Sequence, residues 1–253
     1  MKPKRNDIRG LSKGFRRSVR WNKVLDFVFP RRCPFCDGIV RFGDMVCDRC
    51  RSSIPYIGEE YCLKCGKALL KTDSEYCSDC MHTEHLFTRG RALYVYEGSV
   101  RASIGRFKFR GRQEYADFYG RDMVRHLGSF IKKCRIDIII PVPISKEKRK
   151  MRGYNQAELI AERISALTGL PFDGMLVKRV RNTPPMKDLT RSERMKNLIG
   201  AFKITSHDVK WRNVLIVDDI YTTGSTIDAM AAEIKNAGAE KVFFVALASG
   251  APA

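Results

Sequence analysis

The chain has 253 residues and a formal net charge of +19, from 47 Lys and Arg residues against 28 Asp and Glu residues. This length leaves room for one sizeable α/β domain and a small satellite domain. No run of eighteen apolar residues is present, and the basic N-terminus has no apolar stretch like that of a signal peptide, so we expect a soluble, cytoplasmic protein. The charge favours a polyanionic partner, nucleic acid or anionic lipid, over a solvated surface without one.

The N-terminal segment is predicted to be a basic mobile tail over residues 1–20. Residues 1–32 hold eleven Lys and Arg residues against only Asp7 and Asp26, which is compatible with an arm that contacts nucleic acid or with an extension that has no role. From residue 21 onward, apolar residues recur at helical spacing, and Pro30 ends the predicted helix. The apolar stripe favours packing onto the rest of the protein over a membrane surface.

Two similar cysteine modules follow within residues 21–88. Each contains two Cys-x-x-Cys pairs, which are separated by ten residues in the first module and by eleven in the second. A Cys-x-x-Cys turn brings two thiolates to one tetrahedral metal ion, and Gly38 and Gly66 are expected to allow the tight turn after each first pair. Four-thiolate sites are closed, so we predict two structural zinc ions, held by Cys33, Cys36, Cys47, Cys50, Cys62, Cys65, Cys77 and Cys80.

The spacing leaves the pairing of these cysteines open. One Cys₄ site in each module is the simplest assignment, but a cross-braced arrangement also fits, because the spacer between the modules has eleven residues as well. Close pairs in a chain without an export signal favour metal over disulfides. Two Zn²⁺ ions with eight thiolates would lower the net charge to about +15. His82 and His85 are predicted to be surface residues, and Cys134 a structural thiol.

Residues 89–253 are predicted to form the larger domain, with residues 88–91 as the hinge. A strand is expected at residues 92–96. The helical pattern that follows is predicted to turn Val100, Ile104, Phe107 and Phe109 toward the core. Its basic residues, with aromatic residues between them, are compatible with a surface for phosphates or nucleobases or with an ordinary solvated helix face; they are Arg101, Arg106, Lys108, Arg110 and Arg112.

Strands and helices alternate in the rest of the chain. A buried strand at residues 136–140 precedes a basic loop at 145–152 and a helix that ends near residue 168. Residues 179–196 have few apolar side chains and are predicted to be an exposed loop that covers a site. A last buried strand is expected at 241–247. The alternation predicts an α/β fold, a mostly parallel sheet with helices on both faces, preceded by the small double zinc module.

The most informative stretch is residues 214–226, which read VLIVDDIYTTGST. Four apolar residues predict a buried strand that ends at Asp218 and Asp219. Small hydroxyl side chains and free backbone N–H groups follow at residues 222–226, at the start of a helix, which is typical of an anion site. Carboxylates for a sugar diol or Mg²⁺ next to such a loop indicate a ribose 5-phosphate ligand.

This stretch resembles the PRPP (phosphoribosyl pyrophosphate) motif of type I phosphoribosyltransferases. A similar pattern opens response-regulator receiver domains, but only 34 residues follow Asp219, too few for the rest of such a domain. The remaining alternative is a strand that ends in a solvated turn. No Gly-x-Gly-x-x-Gly and no Gly-Lys-Ser/Thr motif is present, so dinucleotide and Walker-type sites are not supported.

The whole set of motifs resembles the ComF family, whose members combine a double zinc ribbon with a type I phosphoribosyltransferase-like domain. The resemblance covers residues 27–247 and includes FKF-x-G at 107–111, PVP at 141–143, RGYNQAE at 152–158, and Arg191 with NLIGAF at 197–202. One difference concerns the segment after Thr183, where the family usually has a Gln and this chain has Met186. If that Gln touches substrate, the contact is absent here.

The resemblance implies roles for individual residues. Asp218 and Asp219 would bind the ribose hydroxyls, directly or through Mg²⁺. The 5-phosphate would be held by Thr222, Thr223, Gly224, Ser225 and Thr226. A pyrophosphate loop would contain Lys150, Arg152, Gly153, Asn155 and Gln156.

Two functions follow from the resemblance. The first is a phosphoribosyltransferase-like protein that binds PRPP or a related ribose 5-phosphate ligand with Mg²⁺ and is linked to DNA uptake in natural transformation. Whether it turns PRPP over is left open, and a transferase reaction at this site would need no side-chain nucleophile. The second is a non-catalytic competence factor whose PRPP pocket senses a nucleotide or holds a DNA end, while the basic tail, the zinc modules and the region of Phe107 bind single-stranded DNA. DNA-uptake or recombination proteins are the expected protein partners.

Overall fold

The computed structural model describes residues 30–70, 74–181, 198, 200–205 and 211–250. The predicted tail, the helix from residue 21, Met186 and most of the predicted covering loop lie outside these residues. The helices are α1 (Asp48–Arg51), α2 (Ser78–His82), α3 (Gly98–Phe109), α4 (Tyr115–Lys133), α5 (Lys146–Arg152), α6 (Gln156–Thr168) and α7 (Ser225–Asn236). The strands are β1 (Arg89–Val95), β2 (Ile138–Pro141), β3 (Val177–Arg179), β4 (Phe202–Ile204), β5 (Asn213–Tyr221) and β6 (Lys241–Ser249).

Four strands form one parallel sheet in the order β1-β6-β5-β2. The apolar runs in β2, β5 and β6 are buried on both sides, which explains why they lack the alternation of a half-exposed strand. Helices α3, α4 and α6 cover one face, and α7 with the antiparallel pair β3–β4 covers the other. The predicted α/β class with helices on both faces is confirmed.

The order in which the chain adds strands to the sheet changes direction between β2 and β5. After β2 the chain passes through α6 to Phe172, which bridges Ile139 on the outer side of β2. After β5 it passes through α7 to β6 on the opposite side. The two connecting helices therefore lie on opposite faces and leave a crevice at the carboxyl ends of β2 and β5, which is where α/β sheets bind ligands.

The two cysteine modules pack on opposite faces of the sheet beside β1. Cys33 and Phe35 of the first module join the core under α3 and α4, whereas Cys62 and Cys65 of the second join the core under α7. The predicted hinge at residues 88–91 is wrong, because β1 begins at Arg89 and is hydrogen-bonded to β6 along this stretch. The modules are thus attached to the sheet edge by pairing and packing rather than by a free linker.

Two local predictions also differ from the structure. Residues 145–152 were expected to be a loop but contain helix α5, because Ser145 Oγ accepts a hydrogen bond from Lys148 N and Gly153, with φ of 79°, ends the helix. Val100, Ile104 and Phe107 are buried as predicted, whereas Phe109 is 67% exposed. Within the part of the chain that the structure describes, no helix has both the length and the apolar character needed to cross a membrane.

Gly90 in β1 provides a test of this packing. A Cβ atom at Gly90 would lie 1.9 Å from Cε1 of Phe244, which is buried in the neighbouring strand β6. We expect Gly90→Ala to lower the free energy of unfolding by about 1–3 kcal/mol, because the ring and strand must shift. Gly105→Ala in α3 is the control, since no atom lies within 4 Å of its Cβ position and Ala favours a helix. Urea titration measures both, and equal stability of the two variants would contradict this packing.

Candidate functional site

Asp218 and Asp219 lie within β5 and not after it. The strand extends to Tyr221 and stays paired with β6, where Asp218 is opposite Ala246. On its other side, the pairing with β2 ends at Val217. The prediction that the strand ends at the carboxylates is therefore wrong, and the extension projects both aspartates past the end of β2 into the crevice.

Asp219 forms an ion pair with Lys108, the penultimate residue of α3. Lys108 Nζ lies 2.8 Å from Asp219 Oδ1, and the two side chains are only 16% and 17% exposed. The sequence pattern places Lys108 only in a general basic surface, and nothing in the pattern indicates that this lysine reaches a residue 111 positions away. The positive charge of Lys108 therefore balances one of the two carboxyl groups, that of Asp219.

Asp218 has a different electrostatic environment. Its enclosed position and the neighbouring charge of Asp219 raise the pKa of Asp218 to about 7, although Lys108 and Arg179 act in the opposite direction. The backbone N–H of Asp219 donates to Asp218 Oδ1 at 2.7 Å, which holds the carboxyl in place. Near neutral pH Asp218 therefore readily gains or loses a proton.

Further cations surround the carboxylates. Burial lowers the pKa of Lys148, and the charges of Arg179, Arg152 and Lys108 lower it further, which indicates that these groups are close to one another. Burial likewise lowers the pKa of Arg179, whereas Asp218 raises it. Among the residues that the structure describes, the crevice therefore combines two carboxyl groups with four cations, and of these cations only Arg152 was among the predicted site residues.

The helical conformation of α5 determines which of its basic side chains face the crevice. Residues 148 and 152 are four positions apart and share one face of the helix, whereas Lys150 lies between them and is exposed. Arg152 donates to Gln156 Oε1 at 3.0 Å. The predicted pyrophosphate loop is thus divided: Arg152 turns toward the site, and Lys150 turns to solvent.

The start of α6 connects the crevice to α3. Asn155 caps α6 through Ala157 N and donates to Val142 O at 2.9 Å, next to the end of β2. Gln156 Nε2 and the Tyr154 hydroxyl both donate to Phe107 O, the carbonyl that precedes Lys108. The predicted orienting residues Asn155 and Gln156 therefore contact the backbone on both sides of the crevice.

Residues 222–226 form a pocket next to Asp218. The pocket is lined by Asp218, residues 220–221, the whole of 222–226, and Ile227. Gly224, with φ of 79°, is the N-cap of α7, and Thr223 Oγ1 lies 2.9 Å from Ser225 Oγ. The pocket therefore opens onto the N-terminus of a twelve-residue helix, where backbone N–H groups and the helix dipole favour an anion.

His85 supports this pocket from behind. It was predicted to lie on the surface, but it is 5% exposed, and its Nδ1 lies 2.8 Å from Asp228 Oδ2 in the first turn of α7. Leu86 N donates to the other oxygen of Asp228. A Cβ at Gly224 would lie 2.9 Å from His85 Cε1, so only glycine fits between the ring and the pocket. His82 is exposed, as predicted.

The eight cysteines form two separate tetrads. Cys33, Cys36, Cys47 and Cys50 make one group and Cys62, Cys65, Cys77 and Cys80 the other, with all sulfur atoms of a group within 4.8 Å of one another. The Sγ–Sγ distances of 3.7 Å for Cys36–Cys47 and Cys65–Cys77 match the ~3.8 Å separation in a tetrahedral Zn–S₄ site. Each module therefore has its own structural zinc site, which excludes the cross-braced alternative.

The first zinc module holds the end of α3. Arg106 donates to the carbonyls of Pro34 and Phe35 inside the first Cys-x-x-Cys turn. Asp37 accepts hydrogen bonds from Arg112 at 3.1 Å and from the Tyr115 hydroxyl at 2.6 Å. These contacts lie on both sides of Lys108 in the sequence and fix the segment that carries it.

The tight turn after each first cysteine pair is made at the equivalent position of the two modules. In the second module it is Gly66, with φ of 72°, as predicted. In the first module it is Asp37, with φ of 60°, so the expectation for Gly38 is wrong. The hydrogen bonds of the Asp37 side chain help to hold a backbone conformation that favours glycine.

The chain is similar to proteins of known name. A family model described as a double zinc ribbon domain matches residues 24–81, and one described as a phosphoribosyl transferase domain matches residues 150–252. Competence protein F of Haemophilus influenzae is 29% identical over 227 residues, which cover 85% of this chain and 95% of that protein. Competence protein ComFC of Streptococcus pneumoniae is 30% identical over 203 residues, 78% of this chain and 84% of that protein. DNA utilization protein YhgH of Escherichia coli is 32% identical over 142 residues, 55% of this chain and 62% of that protein.

The raised pKa of Asp218 predicts a stability that depends on pH. A native pKa near 7 means that the folded state holds this proton more tightly than the unfolded state, so stability falls as pH rises from about 4 to about 7. We expect Asp218→Asn to raise the free energy of unfolding at pH 8 by about 1–3 kcal/mol, and by less at pH 5.5.

Asp219→Asn provides the control at the neighbouring position. It leaves Lys108 mostly buried without its charge partner, so we expect it to destabilise the protein at pH 8. Urea titrations of both variants and the wild type at the two pH values measure the effect. A stabilisation by Asp218→Asn that is the same at both pH values would contradict the assignment.

Proposed function

This chain belongs to the ComF family, and we propose that it binds PRPP or a related ribose 5-phosphate ligand together with Mg²⁺. One observation carries the proposal: a single pocket joins Asp218 to the loop 222–226 at the N-terminus of α7. Carboxylates suit the hydroxyls of a ribose, and the loop suits a phosphate. The phosphoribosyl transferase match over residues 150–252 supports the same ligand class.

The arrangement supports a specific orientation of the ligand. The 5-phosphate would accept hydrogen bonds from the N–H and hydroxyl groups of residues 222–226, and the ribose hydroxyls would face Asp218 and Asp219. A pyrophosphate on C1 would then meet Lys148, Arg152, Lys108 and Arg179, the cations that face the crevice. Hydroxyl and carboxylate oxygens are the ligands that Mg²⁺ prefers, and the ion would neutralise phosphate charge.

The same groups supply what displacement of pyrophosphate from C1 requires. The bond from C1 to the pyrophosphate oxygen breaks, a nitrogen acceptor forms the new bond, and negative charge develops on the leaving group. Cations that are fixed beforehand stabilise such charge. No side-chain nucleophile is needed, so the reaction rests on binding and charge alone.

The relatives' names connect this ligand site to DNA. Competence protein F and Competence protein ComFC are named for competence, and YhgH is named for DNA utilization. We propose that the present chain likewise acts in DNA uptake inside the cell. Binding of single-stranded DNA is the second candidate function, and the formal charge of +19 favours it. Exposed Arg101, Arg110, Arg149 and Lys150 on α3 and α5 or next to them would contribute.

Calorimetry with PRPP and Mg²⁺ tests the first proposal. The double variant Asp218→Asn, Asp219→Asn should weaken binding about 100-fold, because each lost hydrogen bond to a charged group contributes about 1.5–3 kcal/mol. Glu59→Gln with Glu60→Gln is the matched control, since these adjacent carboxylates are exposed and lie just before the second module. Unchanged affinity in the aspartate variant, or no binding by the wild type, would refute the proposal.

Salt dependence tests the second proposal. Affinity for a single-stranded oligonucleotide should fall about tenfold or more between ~50 and ~200 mM salt, because bound phosphates release counterions. Arg110→Gln with Lys150→Gln should reduce the slope, since both side chains are exposed cations. Fluorescence anisotropy measures both effects. A flat salt response would count against nucleic-acid binding.

A further inference from the structure

We propose that Phe109, with Arg152 beside it, is a stacking platform for a nucleobase carried by the bound ribose. The inference rests on the proposed function, because it uses the ribose position that Asp218 and Asp219 define. It adds the chemical class of the group on the ribose, which the phosphate pocket and the carboxylates leave open.

Phe109 has no role in the core. It is the last residue of α3 and is 67% exposed, whereas Val100, Ile104 and Phe107 of the same helix are buried. Single exposed apolar residues are common on protein surfaces, so exposure alone indicates nothing. The position of this ring relative to the crevice is what distinguishes it.

The ring lies next to Arg152, one of the cations assigned to the crevice. Lys108, its neighbour in the chain, reaches Asp219 at 2.8 Å. The guanidinium carbon of Arg152 lies 5.0 Å from the centre of the Phe109 ring, and Arg152 is fixed by its hydrogen bond to Gln156. The end of α3 is itself held by Tyr154 and Gln156 at Phe107 O. An exposed aromatic ring on a well-supported backbone therefore stands at the rim of the crevice.

This combination suits a planar aromatic ligand. Aromatic side chains and Arg guanidinium groups both stack on bases, and one stacked base contributes about 1–3 kcal/mol. Stacking accepts any base because every base has a π-face. The base could belong to a free nucleotide, which keeps both ribose hydroxyls, or to the 5′-phosphorylated end of a DNA strand, which presents the same ring and 5-phosphate without the two free hydroxyls.

A comparison of two ligands isolates the platform. Ribose 5-phosphate and adenosine 5′-monophosphate share the sugar and the phosphate and differ by the base. The wild type should bind the nucleotide more tightly. Phe109→Leu should weaken nucleotide binding about tenfold and leave ribose 5-phosphate within about twofold, while Phe109→Trp should retain nucleotide affinity because it keeps an aromatic face.

Phe42→Leu is the matched control. Phe42 is 66% exposed, almost as much as Phe109, but it lies in the first zinc module, and its replacement should change neither affinity. Calorimetry gives all affinities. Because both rings are exposed, neither replacement should unfold the protein, so a loss of affinity for one ligand alone would not reflect unfolding.

A 5′-phosphorylated oligonucleotide forms the second arm of the experiment. If Phe109→Leu lowers the affinity for the oligonucleotide, the platform binds the end of a strand; if it lowers the affinity for the nucleotide, the platform binds a free ligand.

The outcomes separate the two proposals. If the wild type binds no ribose 5-phosphate, the proposed function is wrong and the inference falls with it. If ribose 5-phosphate binds and Phe109→Leu weakens all ligands equally or none of them, the platform alone is refuted. A selective loss with rescue by Phe109→Trp supports it.

Discussion

The ion pair between Lys108 and Asp219 joins the two halves of the molecule that form the crevice. Both side chains are more than four-fifths buried, so removal of either partner leaves a charge in an unfavourable environment. The pair can form only when α3 ends next to the carboxyl end of β5. The placement of α3 therefore determines whether Asp219 has a cation beside it. The contacts that hold α3 in place thus also determine the charge of the crevice.

Those contacts explain why two zinc modules accompany the sheet. The first module holds the segment around Lys108 through Arg106, Arg112 and Tyr115. The second lies on the opposite face, and the chain that leaves it places His85 behind Gly224 and against Asp228. A small module cannot bury enough apolar surface to be rigid by itself, and a four-thiolate zinc site supplies that rigidity. Each module thus supports one side of the crevice.

The sequence predicted features that depend on neighbouring residues. The zinc ligands, the Asp218–Asp219 pair with its loop, and the buried strands all follow from short spacings and apolar runs, and the structure contains them. Contacts between residues that are far apart in the chain leave no such pattern. Lys108 and Asp219 are 111 positions apart, and His85 and Asp228 are 143 positions apart. The many Lys and Arg residues of α5 made this segment resemble a loop in the sequence. The capped helix that it forms is the reason that Lys148 and Arg152, rather than Lys150, face the site. Phe109 fits the helical pattern of α3, but the helix ends there, beyond the region that packs on the sheet.

The charges in the crevice bear on how a metal ion would enter it. Four cations face two carboxyl groups, one of which is already paired with Lys108, while the other has a pKa near 7. Among the residues that the structure describes, a divalent cation that entered alone would meet more cationic side chains than carboxyl groups. A polyphosphate that carries the ion brings the negative charge that Lys148, Arg152 and Arg179 can balance, and it supplies most of the oxygen ligands that Mg²⁺ requires. If the proposed ligand binds here, the metal ion would therefore enter as part of the ligand rather than as a resident of the protein.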